Sequence, residues 1–150
     1  MRRYFLSKKK VKEIKNKLAM ALSLEGKLEI VENDVTIILK DGEPAYFLYE
    51  GRYYPTVLML LKNPPARYFV TVDMGAVKYV LNGANIFAAG IVDADREIEH
   101  GDGVYVRDEK YQKPLAVGIA KLSGIEMIKA EKGIAVKNIH YYGDKIFKMF

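Results

Sequence analysis

Nine of the chain's 12 glycines fall after residue 70, and that uneven placement narrows the choice of folds for its second half. Glycine permits the backbone conformations that turns and bulges demand, and it weakens the interior of long helices and strands. A segment punctuated this often has room for short strands joined by tight turns and bends, as in a small barrel. The apolar runs agree. After Gly101-Asp102-Gly103, residues 104–107, 115–122, 125–129, 134–142 and 145–149 each read as a strand. Ahead of them, 69–73 predicts a strand, and Asp73 is placed to cap a helix beginning near Gly75. In that helix Val77, Val80, Leu81 and Ala84 form a core-facing stripe, with Lys78, Asn82 and Asn85 in a second, polar one.

The first half has a different texture. Ser7 is a suitable N-cap, and Val11, Ile14, Leu18 and Leu22 recur at helical spacing, while Lys9, Lys10, Lys12, Lys15 and Lys17 cover the remaining surface. The spacing predicts an amphipathic basic helix running to about Gly26. A β-meander follows: Leu28 and Ile30 alternate with polar neighbours, 35–39 is β-branched, Asp41-Gly42 makes a turn and 45–49 continues as a strand. Residues 53–56 then open a short helix, capped by Thr56 and stopped by Pro64-Pro65. The expected organisation is a small α+β domain over 1–69 and a β-rich domain over 70–150, meeting near 66–70.

One predicted strand carries an odd alternation. Leu115, Val117 and Ile119 point to one side, and Ala116, Gly118 and Ala120 to the other. A face of small residues admits another backbone at close range. It suits either a tightly packed protein helix or a groove for nucleic acid.

Charge separates the two halves. Residues 1–69 carry 13 Lys/Arg against 8 Asp/Glu, whereas 70–150 carry 11 of each; within 1–17 the count is 8 basic to 1 acidic. A basic excess at one end is what a phosphate-binding surface needs, and it is also what a solvated lysine-rich helix face looks like. Eleven tyrosines and six phenylalanines offer stacking platforms for RNA, although Tyr46, Phe47 and Tyr49 lie in a predicted strand and point to the core.

Catalytic chemistry finds little to work with. Cysteine is absent, which removes disulfides, thiol nucleophiles and cysteine zinc sites. The two histidines, His100 and His140, fit no metal spacing or triad signature. The acidic run Asp93, Asp95, Glu97 and Glu99 reads as a solvated loop or edge strand, and 100–103 lacks the lysine of a phosphate-binding loop. We therefore expect no catalytic residues, no metal and no cofactor. The longest apolar run, 57–61, is too short to span a bilayer. The N-terminus has no apolar stretch of signal-peptide length, so a cytoplasmic protein without a membrane partner is expected.

Three blocks in order carry a resemblance. Residues 73–92, DMGAVKYVLNGANIFAAGIV, resemble the opening of a PUA domain. Gly101-Asp102-x-Val104 with the 114–123 stretch PLAVGIAKLS, and the 133–147 segment GIAVKNIHYYGDKIF, resemble its later strands. Together with YYPTVLML at 53–60, the pattern is similar to the malignant-T-cell-amplified translation factor family and its archaeal relatives, over nearly the whole chain. The resemblance implies an α+β architecture: a small N-terminal α+β domain before a C-terminal PUA β-pseudobarrel. It implies a non-enzymatic RNA binder of translation initiation, re-initiation or recycling, contacting a tRNA 3′ end or small-subunit rRNA. A partner like density-regulated protein is implied too. PUA domains also accompany RNA-modifying enzymes, so a non-catalytic RNA-binding subunit of a tRNA- or rRNA-modifying system is the alternative, and a protein-interaction adaptor is a third reading. Carried onto this chain, the RNA cleft implicates Gly75, Lys78, Asn82, Asn85, Phe87, Ala89 and Gly90, with the Ala116, Gly118 and Ala120 face underneath. Lys9, Lys10 and Lys12 are the expected non-specific phosphate contacts. The chain departs from the family at Ala89-Gly90, where Pro-Gly is frequent, and at Phe147, where tryptophan is common.

Overall fold

The computed structural model describes residues 1–149. Its first half holds β1 (Arg2–Phe5), α1 (Lys8–Lys15), β2 (Leu28–Glu32), β3 (Ile37–Lys40), β4 (Glu43–Tyr49), β5 (Arg52–Pro55) and α2 (Val57–Lys62). The five strands form an antiparallel sheet in chain order. The second half holds β6 (Phe69–Val72), a 3₁₀ turn at Met74–Ala76 running into α3 (Val77–Val80), and β7 (Ile86–Phe87). A second 3₁₀ turn at Ala88–Gly90, β8 (Ile91–Ala94), β9 (Gly103–Asp108), β10 (Pro114–Ala120), α4 (Gly124–Lys129) and β11 (Ile134–Tyr141) complete it, with a last 3₁₀ turn at Phe147–Met149. Its six strands run β7-β11-β10-β9-β6-β8, parallel at β6–β9 and antiparallel elsewhere, and curl into a nearly closed pseudobarrel.

Local signals set several element starts. Ser7 Oγ accepts from the Lys10 N–H at 3.1 Å, Thr56 Oγ1 from Met59 at 3.2 Å, and Asp73 Oδ1 from Ala76 at 2.9 Å. Each cap satisfies an N–H that the first turn leaves without a partner.

Three apolar clusters divide the core. One fills the pseudobarrel, with Val70, Val72, Val104, Val106 and Val136 at its centre and Val77 and Leu81 of the α3 stripe packed on it. Another lies between the first sheet and α1, around Ile14, Ile30, Ile38 and Tyr46. The third belongs to both halves: Met20, Phe47, Tyr54, Val57 and Leu60 meet Tyr105 and Val117. Full burial of one such side chain is worth about 1.5–3 kcal/mol, so the third cluster binds the halves firmly. Polar contacts reinforce it. Arg52 Nη1 donates to the Gly101 carbonyl at 2.8 Å, and the Ala21 N–H donates to the Tyr68 hydroxyl at 3.1 Å.

The structure corrects several sequence expectations. The basic helix ends at Lys15, far short of Gly26. Beyond it the chain is pulled onto the sheet: Leu18 bridges Tyr53, and the Ala19 N–H and Tyr53 N–H donate to the Tyr53 and Lys17 carbonyls. Ala19 and Met20 are buried in the shared cluster, so tertiary contact overrides helix propensity. Residues 2–5 form an edge strand that the periodicity missed, and 52–55 are a strand ahead of the helix. Residues 125–129, read as a strand, lie in α4, where Ser123 and Glu126 form a reciprocal capping box. Residues 147–149 form a 3₁₀ turn within the segment expected to be a final strand.

The small-residue strand is also settled. Ala116 and Ala120 are fully buried inside the pseudobarrel, and a Cβ on Gly118 would be driven into the Lys137 carbonyl and the Val136 side chain. The close neighbour is therefore strand β11, and no groove lies there. The expected alternation breaks at its start, because the β9–β10 register shifts between Pro114 and Ala116. Leu115 accordingly joins the barrel core, while Val117 and Ile119 face the first sheet.

Candidate nucleic-acid interface

A groove of about 260 Å³ opens beside α3, between that helix and the β7 segment. Ala76, Tyr79 and Val80 line it from the helix side, and Asn85, Phe87 and Gly90 from the other. Its walls are predominantly apolar. Tyr79 and Phe87 are 58% and 54% exposed. Two half-exposed rings about an apolar slot suit an unpaired base, whose π-face stacks on aromatics whatever its identity.

Gly90 matters through space. A Cβ there would sit 3.5 Å from the Ala76 Cβ, an ordinary contact, and its φ is outside the left-handed region. Alanine fits at this position, whereas a longer side chain must project into the groove.

Asn85 holds the loop in place. Its Oδ1 accepts from the Asn138 N–H at 3.1 Å, and Asn138 Nδ2 donates in turn to the Val80 and Ala84 carbonyls, each at 3.1 Å. Asn138 sits beside the register shift of β11 against β10 at Val117/Gly118. Its Oδ1 is buried and, among the described residues, has no hydrogen-bond partner. The strand irregularity thus anchors the helix end and the groove floor together.

Of the residues singled out in the sequence, Asn85, Phe87 and Gly90 line this groove. Gly75 lies in the turn before α3, and Ala89 is exposed in the turn beside Gly90. Lys78 and Asn82 lie on the outer, solvent side of the helix. The Lys78 ammonium is 5.1 Å from the Tyr79 ring centroid, and Asn82 Nδ2 donates to the Lys78 carbonyl at 3.1 Å, serving its own helix end. Tyr79 was missed. Its signal is the i, i+3, i+4 face of Ala76, Tyr79 and Val80, adjacent to the core stripe. Lys9, Lys10 and Lys12 sit on α1 in the first half, where Glu13 lies 3.6 Å from the Lys10 ammonium.

The remaining candidates have structural duties. His140 is 1% exposed at the junction of the halves, where its Nε2 accepts from the Val57 N–H at 3.0 Å. That bond fixes the proton on Nδ1, which faces the Asp144 carboxylate at 2.9 Å. Burial pushes the Asp144 carboxyl up, but the His140 ring and the Phe147 and Tyr141 N–H groups outweigh it and hold it below the usual carboxylate range. In the acidic run, Asp95 accepts from the Tyr68 and Glu97 N–H groups. Among the described residues no cluster of His, Asp or Glu is arranged to hold a metal ion, and no helix is long and apolar enough to cross a membrane.

Comparison with known proteins agrees with this architecture. The PUA domain profile matches residues 68–142, and a profile described as a domain of unknown function (DUF1947) matches residues 2–63. An uncharacterized protein of Methanocaldococcus jannaschii is 47% identical, with 97% of this chain and 95% of that one aligned. Translation machinery-associated protein 20 of Schizosaccharomyces pombe is 38% identical over 78% of this chain and 67% of its own length. Malignant T-cell-amplified sequence 1-B of Xenopus laevis is 35% identical over 77% and 66%. The chain belongs to this PUA-domain family. A hypothetical protein of Pyrococcus horikoshii shows the same fold in a crystal structure, with 38% identity, a TM-score of 0.86 and 98% of each chain covered. The PUA domain indicates RNA binding, and the named relatives point to a role connected with translation.

Proposed function

We propose that the groove beside α3 receives the single-stranded 3′ end of an RNA, either a tRNA or small-subunit rRNA. The protein then acts as a non-enzymatic binder in translation initiation, re-initiation or recycling. The observation that carries this reading is the pair of half-exposed rings, Tyr79 and Phe87, on the two sides of an apolar slot that Gly90 keeps open. Such a site offers stacking and shape, with base selectivity left to the few polar groups at its rim. Lys9 and Lys12, exposed on α1, add non-specific phosphate attraction. Residues 1–69 form the domain that carries this basic helix, and 70–150 the domain that carries the groove. A partner resembling density-regulated protein, which the family resemblance implies, and a cytoplasmic location complete the proposal.

Co-sedimentation with purified small ribosomal subunits tests the role. The protein is expected to pellet with subunits in a salt-sensitive manner, and Phe87→Ala to reduce the bound fraction several-fold. Failure of the wild-type protein to associate with subunits or with tRNA would overturn the translation reading.

A further inference from the structure

The charge neutrality of the second half conceals a basic, aromatic surface on the flank of α3 away from the groove. We infer that the β9–β10 loop, together with the end of β11, is a second RNA contact that holds the phosphodiester backbone adjoining the strand end in the groove. This rests on the groove reading and extends it.

Four side chains compose the surface. Lys110 and Lys113 place their ammonium groups 5.1 Å from the ring centroids of Tyr111 and Tyr142. The two rings are 71% and 42% exposed. Among the described residues, no carboxylate lies within ion-pair distance of either lysine. Nearby acids are committed elsewhere. Asp108 is 4% exposed and turned into its own loop, where it accepts from the Tyr111 and Lys113 N–H groups at 2.5 and 3.1 Å. Asp144 is occupied by His140, Tyr141 and Phe147, and Glu109 accepts from the Met74 N–H. Glu109 is the one exposed carboxylate of the loop and is turned to the Met74 N–H, so the two lysine ammonium groups are the charges that the surface offers unpaired among the described residues, and the loop that presents them is held by its own hydrogen bonds.

Position supplies the link to RNA. The Glu109–Met74 hydrogen bond sets the loop against the start of the α3 segment. Tyr141, next to Tyr142 in sequence, has its ring against Gly83 at the far end of that segment. The groove lies on the other side of the same helix, whose diameter with side chains is about 10–12 Å. A nucleic-acid strand leaving the groove reaches the lysines by passing over one helix. Lysines fix the backbone without reading sequence, and exposed tyrosines pack against sugar or base.

The test is titration of tRNA with and without its single-stranded 3′ tail, at several salt concentrations. The variants are Lys110→Ala/Lys113→Ala and, as a charge-keeping control, Lys110→Arg/Lys113→Arg. The alanine variant should weaken both RNAs and flatten the log–log salt slope by about 0.9 for each duplex phosphate no longer neutralised. The preference for tailed RNA should remain, and the arginine variant should keep the wild-type slope. An unchanged slope in the alanine variant overturns the inference. So does loss of tail preference at constant slope, and so does a loss of poly-glutamate binding with RNA binding intact, which would mark a site for acidic protein. Failure of the groove reading is read separately: wild type would then show no tail preference, whatever happens at the lysines.

Discussion

The two halves of the molecule contrast in how they hold themselves together. The pseudobarrel encloses its own core: Val70, Val72, Val104, Val106 and Val136 are all buried within one sheet. The first sheet is open. It covers one face with α1 and leaves Phe47 and Tyr54, with Val57 and Leu60 of α2, to be covered by Tyr105 and Val117 of the barrel. A closed sheet supports a site on its rim, whereas an open one depends on its neighbour. In keeping with that asymmetry, the groove belongs to the barrel, on a helix anchored through Asn138 to strand β11.

Separating the halves is the harshest way to break the comparison. Residues 1–67 expressed alone should lack a cooperative thermal transition, since the buried face around Phe47, Tyr54 and Leu60 becomes solvent-exposed. Residues 68–150 should melt cooperatively. Circular dichroism melts of both pieces decide it, and a cooperatively folded N-terminal piece would show that the first sheet does not need the barrel.

A smaller effect is expected at the junction itself. His140→Phe keeps an aromatic beside Phe47 but leaves the Val57 N–H without its acceptor and Asp144 without its ring partner. The cost should be about 1–3 kcal/mol in denaturant unfolding. Asp144 adds a pH signature. Its folded pKa is depressed, so its contribution is complete above the ordinary carboxylate range, near pH ~4. The contribution is lost as pH falls through the lower folded value. Asp144→Asn should therefore lower stability at neutral pH and reduce its loss on acidification.

The mildest test compares the halves as RNA binders. Replacing Lys9, Lys10 and Lys12 with alanine should leave the melting temperature nearly unchanged and weaken all RNAs alike. It should flatten the salt slope by roughly 0.7 for each single-strand phosphate left without its lysine. If it instead abolishes discrimination between RNAs, the first half does more than supply charge.

What the sequence made legible follows the same division between local and long-range physics. The caps at Ser7, Thr56 and Asp73 and the 28–49 meander were readable because side chain and backbone partner lie within a few residues. The non-helical path of 18–24 was not, because its partners Tyr53, Tyr68 and Gly103 lie far along the chain. Helix α4 is a different kind of miss, since its Ser123/Glu126 box was present in the sequence and was outweighed by the β-like run around it. At the groove, Phe87 and Gly90 were reached through the family resemblance, while Tyr79 was hidden among residues assigned to the core. Asn138 had no local signal at all, because its role depends on a register shift between β10 and β11.

The proposed function turns most directly on the groove, and Gly90→Leu addresses it with the least disturbance, because the backbone there accepts a side chain and the added bulk enters the slot. Affinity for tRNA with and without its single-stranded 3′ tail, measured for wild type and Gly90→Leu beside their thermal melts, is the decisive experiment. Wild type should favour the tailed RNA by the free energy of at least one stacked base, about 1–3 kcal/mol. The folded variant should lose that preference and bind both RNAs as wild type binds the tail-less one. Equal affinity of wild type for the two RNAs, or an undiminished tail preference in folded Gly90→Leu, would contradict the account.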